Sequence, residues 1–276
     1  MQVWLRRERS TPPARRGRGW VGLRSILFGL ALLAWGSAHA LPDAFSASYV
    51  ASARGFTLGS AQVEFSRDGG SYRYSSELRP SGVVRLAFSG GIHELSRGTL
   101  TEDGVASEAY DYRRTGRDGR EDTIRFGSSG AVMSYKDRVQ AYRLPEVTVD
   151  PLSLHLALMR DVAAGAQRMR YVVVEPRRVK AYEVEVRGRE RIRTPNGEYE
   201  AVRVDVVGEA TLDRPATFDL RAAELPPARE QTTFWFAPEL DYLLVRMQHV
   251  DEDVGAATLE LREERIDSRL SKRPGE

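Results

Sequence analysis

The sequence predicts an all-β, mostly antiparallel fold: a curved sheet or open β-barrel with one buried helix near residues 151–164. Three observations carry this. From Leu41 onward the apolar residues recur with a period of two, the period at which strand side chains alternate between faces. Turn signals rich in Gly, Asp and Ser return about every eight to twelve residues. One segment breaks the period and has the capping residues of a helix.

Taken in order, Ala61, Val63 and Phe65 alternate with Gln62 and Glu64, and Asp68-Gly69-Gly70 turns the chain into a strand carrying Tyr72, Tyr74 and Ser76. Turns at Glu102-Asp103-Gly104, Arg117-Asp118-Gly119 and Ser128-Ser129-Gly130 set off short runs around 110–112, 124–126 and 132–135, each a step of a meander. Asp150 can then cap a helix, Pro151 suits its first position because the missing N–H has no helical partner there, and Gly165 ends it. Leu152, Leu156 and Met159 mark one face and Leu154, Leu158 and Val162 another, so most of the helix surface is apolar and is expected to plug or cover the sheet. Longer strands follow at 171–175, 182–194 and 199–207, the last two joined by Pro195-Asn196-Gly197, which supplies a preset φ and then residues tolerant of positive φ. Residues 213–229, with Pro215, Pro226 and Pro227, read as a long surface loop near the mouth of the sheet. Strands at 233–236, 243–250 and 257–262 bring the count to about twelve. No linker divides residues 41–265, which read as one β-rich domain, and 266–276 read as a flexible polar tail.

Residues 1–40 have the three zones of a secretory signal: a basic stretch from Arg6 to Arg24, an apolar run over 26–35, and the small-residue site Ala38-His39-Ala40. The run is about ten residues, short of the ~20 that a membrane-spanning helix needs. Cleavage after Ala40 by the general secretory route, a soluble periplasmic product and no membrane span thereafter are the expectations. Arg15-Arg16 lacks the apolar residues that follow the pair in a twin-arginine signal.

The whole chain holds 41 Lys+Arg and 39 Asp+Glu, and residues 1–40 take seven Arg and one Glu of these. The remainder carries 34 basic and 38 acidic residues and is mildly acidic, so overall charge offers no nucleic-acid binding. With no cysteine there is no disulfide framework, thiolate nucleophile, Cys-ligated zinc or lipid-bearing cysteine. His93, His155 and His249 lack ligand spacing, and no nucleophile elbow, Ser-x-x-Lys pair or phosphate loop is present, so neither a cofactor nor a metal is expected.

Two features stand out as ligand-binding candidates. Alternation puts Arg187, Arg189, Arg191 and Arg193 on one strand face, where they hold an anionic group or else pair with Glu198, Glu200 and Asp205 across the Pro195-Asn196-Gly197 turn. In Phe234-Trp235-Phe236, Trp235 faces opposite to the two Phe, and it either lines a hollow interior, suited to a lipid, or packs as ordinary sheet surface.

Several local patterns taken together resemble the bacterial secreted family catalogued as domain of unknown function 3108. They are Gly55-Phe56-Thr57-Leu58-Gly59, the Tyr72 and Tyr74 pair leading to Gly82, Asp150-Pro151-Leu152-Ser153, Thr194-Pro195-Asn196-Gly197-Glu198-Tyr199, and Trp235-Phe236-Ala237-Pro238 through Val245-Arg246, spanning nearly all of 45–262. The resemblance implies export and a β-rich fold, with no catalytic residues to carry over. The reading is a non-enzymatic periplasmic protein that binds an apolar or amphipathic envelope molecule, such as a lipid, or an envelope protein. The alternatives are a carboxylate-dependent hydrolase of envelope polymers and a structural subunit of an envelope complex.

Overall fold

The structure, a computed structural model, describes residues 41–267 apart from 83, 88–89, 118, 137, 145–147, 214, 216–217 and 252–254. The signal-like segment and the last nine residues of the tail lie outside the described residues. The chain runs through β1 (Ala44–Ala53), β2 (Phe56–Asp68), β3 (Ser71–Pro80), a helical turn α1 (Val84–Ala87), β4 (Ile92–Leu100), β5 (Val105–Arg114), β6 (Arg120–Gly127), β7 (Gly130–Tyr135), β8 (Arg138–Arg143) and β9 (Thr148–Val149). After helix α2 (Pro151–Ala163) come β10 (Arg168–Glu175), β11 (Arg178–Thr194), β12 (Gly197–Thr211), β13 (Gln231–Ala237), a 3₁₀ turn (Pro238–Leu240), β14 (Leu243–Asp251) and β15 (Gly255–Asp267). The all-β fold with one long helix is therefore the observed one. The strands number fifteen, since the short β8 and β9 carry little alternation and β1 precedes the first clear turn signal.

All fifteen strands form one sheet, in the order β8-β7-β6-β5-β4-β3-β2-β1-β15-β14-β13-β12-β11-β10-β9. Every pairing is antiparallel except that of β9 with β10. The sheet is thus two meanders zipped together where β1 pairs with β15. Turn chemistry sets each step: Ala53 pairs with Phe56 across Arg54-Gly55, both at positive φ (49° and 79°), the two-residue turn whose twist matches that of the flanking strands. Ile266 and Asp267 pair with Phe45 and Ala44, so the last strand continues into what the sequence pattern marks as tail.

The sheet is not closed into a barrel; β8 and β9 are its edges. It curls around α2, which touches β3, β4, β5, β9, β10 and β14. The predicted caps form: Asp150 accepts from the backbone N–H groups of Leu152 and Ser153, the Ser153 side chain bonds back to the cap N–H, and Gly165 at φ 85° follows the last turn. Leu156 and Leu158 have no solvent exposure, and Met159 next to them is also buried, so helix positions on more than one face pack into the roll.

The inner face, the one turned toward α2, carries the core. Phe45 stacks on Phe65 at 5.1 Å between ring centroids and meets Tyr74 edge-on at 5.7 Å, while Ile124 and Met133 extend the row onto β6 and β7. The 213–229 loop packs back on the sheet: Arg170 donates to the carbonyls of Leu220 and Ala223, and Gly208 leaves room for Leu225, which a Cβ there would meet at 3.0 Å.

Candidate functional site

Between the inner face and α2 the sheet leaves a hollow of about 330 Å³, at the small end of the ~300–1,000 Å³ typical of ligand pockets. Its walls come from β1–β4, β14 and β15, and Leu152 and His155 of α2 complete it. Ala51, Ala61, Leu78, Met247 and Leu259 make the wall apolar. Register explains how distant residues meet here. Leu259 lies opposite both Ala51 and Met247, and Ala61 lies opposite both Tyr49 and Leu78, so two neighbouring inner rows together reach from β3 to β14. None of the described residues of the 213–229 loop lines the hollow, because they are held over β10 and β12 instead.

Polar groups interrupt the apolar wall. Glu94 accepts from Tyr110 Oη at 2.5 Å; burial pushes its carboxyl above the ordinary carboxylate range, against the Tyr110 hydrogen bond, and the charge of Asp150 adds to the rise. Tyr49 Oη donates to the Leu244 carbonyl at 2.9 Å. Burial, and then the field of Glu94, push the Tyr74 phenol well above its ordinary value, so it stays neutral. His155 packs edge-on against Phe234 at 5.9 Å, and burial lowers it to about 4, which keeps it neutral near pH 7. His249 stands at the rim, bonded to Thr232 at 2.9 Å and 3.3 Å from the Glu230 carboxylate.

Beside the hollow a second polar cluster fixes the helix. Asp150 Oδ2 accepts from Ser96 (2.6 Å, β4) and Ser107 (2.8 Å, β5), and Tyr72 shares a hydrogen bond with Ser96 at 3.0 Å. Burial pushes Asp150 upward while these donors pull it back. The carboxylate is committed to holding α2 on the sheet.

None of the ligand-binding candidates singled out in the sequence lines the hollow. Arg187, Arg189, Arg191 and Arg193 are all exposed on β11, with Arg187 in a bulge before Gly188. Arg187 meets Glu185 at 2.6 Å and Asp205 at 3.1 Å, Arg191 meets Glu200 at 3.0 Å, and Arg193 meets Glu198 at 2.6 Å. Arg189 sits opposite Val202 and makes no ion pair among the described residues. Trp235 is 6 % exposed and turned away from the hollow: its Nε1 donates to Glu190, and the guanidinium groups of Arg203 and Arg246 lie 5.9 and 5.8 Å from its ring. Phe234 and Phe236 stack at 6.2 Å on the inner side.

Of the three dispersed histidines, the fold brings His155 and His249 to one hollow and leaves His93 on the surface, 3.8 Å from Glu77. Glu94 had a signal in the sequence: period two puts it on the face shared by Ile92 and Ser96, an acid in an inward register. Among the described residues no group of His, Asp or Glu is arranged to hold a metal ion, and no helix is long and apolar enough to cross a membrane.

Residues 45–262 match the family model described as protein of unknown function DUF3108. The chain belongs to this family. Among solved structures, a beta-barrel-like protein of the DUF1849 group from Brucella abortus matches at TM-score 0.50 and 11% identity, covering 82% of this chain and 99% of that one. A Bacteroides fragilis protein with a YmcC-like fold matches at TM-score 0.33 and 8% identity, over 80% of this chain and 95% of its own. Among curated proteins there is no significant match. The Brucella likeness carries the fold of this DUF3108 member, a barrel-like curled sheet, and nothing about its chemistry.

Proposed function

We propose that this is an exported envelope protein that binds an apolar or amphipathic molecule in the hollow between the sheet and α2, without chemistry on it. The observation that carries this reading is the hollow itself, a largely apolar space of about 330 Å³ between the sheet and α2. A space of that size lined by Ala51, Ala61 and Ala257, where larger side chains would fill it, suits a ligand. The carboxylate beside it, Asp150, is taken up by the helix cap, which favours binding over two-carboxylate hydrolysis.

The test is native mass spectrometry of the protein recovered from a periplasmic fraction, before and after organic extraction. An adduct that extraction removes, and that Ala257→Phe diminishes by filling the hollow, supports the reading; a single unliganded species in every preparation overturns it. Sequencing the amino end of the same sample addresses export, with Leu41 expected as the first residue.

A further inference from the structure

The hollow contains more polar capacity than the protein itself uses. Tyr74 is 5 % exposed and lines the wall, yet its hydroxyl has no hydrogen-bond partner among the described residues. Its neighbours differ: Tyr49 reaches the Leu244 carbonyl and Tyr72 reaches Ser96. The His155 ring contacts Phe234 edge-on and likewise lacks a hydrogen-bond partner among the described residues. Glu94 takes one hydrogen bond from Tyr110, with Ser76 a second donor beside it, while a carboxylate accepts about four. Tyr74 is buried and Glu94 and His155 are half-buried; their remaining bonding capacity opens on one hollow, so its partner comes from whatever fills that space.

The sign of charge narrows the partner. Among the described residues no Lys or Arg lines the hollow. His155 is held neutral by burial, and His249 stands at the rim with its Nε2 3.3 Å from the Glu230 carboxylate. Glu94 is thus the one acid turned into the hollow among its described lining residues. A carboxylate or phosphate head would meet this acid with no cation to offset it. A protonated amine has three N–H donors and no acceptor, and the Glu94 carboxylate, the Tyr74 oxygen and an imidazole nitrogen of His155 each accept.

We propose that the hollow selects an amphipathic molecule with a hydrogen-bond-donating cationic head, a primary amine set against Glu94 and Tyr74, whose hydrocarbon lies along Ala61, Leu78, Met247 and Leu259, and that it rejects anionic heads. This rests on the hollow being the binding site. At ~30 Å³ for each water-sized group, the hollow accommodates roughly ten methylenes, so decyl compounds are suitable probes.

The experiment is calorimetric titration of the full-length chain, expressed with its own amino-terminal segment, with decylamine, decanol and decanoate at pH 7. Decylamine is expected to bind at least tenfold more tightly than decanol, and decanoate not measurably. Glu94→Gln should bring the amine down to the level of the alcohol while changing decanol less than twofold. Decanoate binding as well as decylamine, or an amine preference that survives Glu94→Gln, overturns the head-group inference and leaves the hollow as binding site intact. Failure of all three probes overturns both. Should Glu94→Gln not fold, the ranking of the three probes on the unaltered protein decides the matter alone.

Discussion

Two carboxyl groups on the inner face, Asp150 and Glu94, sit close enough that the charge of one raises the other, and burial pushes both upward. Their surroundings are opposite. Asp150 has four donors, the backbone N–H groups of Leu152 and Ser153 at 2.9 Å and the hydroxyls of Ser96 and Ser107. Glu94 has Tyr110, with Ser76 beside it, and an open hollow. The same sheet therefore saturates a buried acid where it must hold a helix and leaves one unsaturated where space has been kept. The difference separates a structural polar cluster from a receptive one by the number of donors already spent.

The largest test of this contrast is Asp150→Ala. It removes the helix cap, leaving two backbone N–H groups without their acceptor and taking one hydrogen bond each from the buried Ser96 and Ser107 hydroxyls, and we expect a loss of about 4 kcal/mol in urea unfolding. A loss under about 1 kcal/mol would put the cluster on the same footing as an exposed cap.

His155 supplies the next effect. Its folded value, about 4, lies below the ordinary 6.5, so the fold favours the neutral ring. Its contribution is fully present above pH 6.5 and is lost as pH falls toward 4. Against His155→Phe, the unaltered protein should lose about 2 kcal/mol over that interval, less than the full displacement implies because one side of the ring faces the hollow. Parallel pH dependences of the two proteins would show that the ring is not desolvated.

Glu94→Gln has the opposite sign to Asp150→Ala. A raised carboxyl contributes stability below its ordinary 4.5 that is lost as pH rises, so at pH 7 the charge is a cost. The amide removes that cost while still accepting from Tyr110, and we expect a gain of about 1 kcal/mol by thermal unfolding. A loss there would mean Glu94 is structural, as Asp150 is. As the surface baseline, Arg191→Ala breaks a pair with Glu200 whose side chains are 72% and 53% exposed and should stay within about 0.5 kcal/mol of the unaltered protein.

Most of the fold was legible because it is written locally. The period-two runs, the Asp150-Pro151 cap and the Pro195-Asn196-Gly197 turn are decided by neighbours in sequence, and each forms where the pattern puts it. What was not legible depends on pairing across long separations. Tyr49, Glu94, His155 and Leu259 come from four separate elements, and only the joining of β1 to β15 brings them to one hollow. Trp235 and the Arg187 to Arg193 row drew notice as dense local composition, and the fold places them among their own acids and away from the hollow. Export rests on residues 1–40, outside what the structure describes.

The joining of β1 to β15 also has a consequence in time. Each of the two meanders, β1 to β8 and β10 to β15, consists almost wholly of steps between sequence neighbours, and such contacts form early because little chain entropy opposes them. The seam pairs Ala44 with Asp267, residues more than two hundred positions apart, and must wait for the last strand. The hollow is cut by that seam, so its wall is complete only once the seam has closed. Until then its apolar residues stand open along an unpaired strand edge, the point at which a newly made chain is most exposed to aggregation.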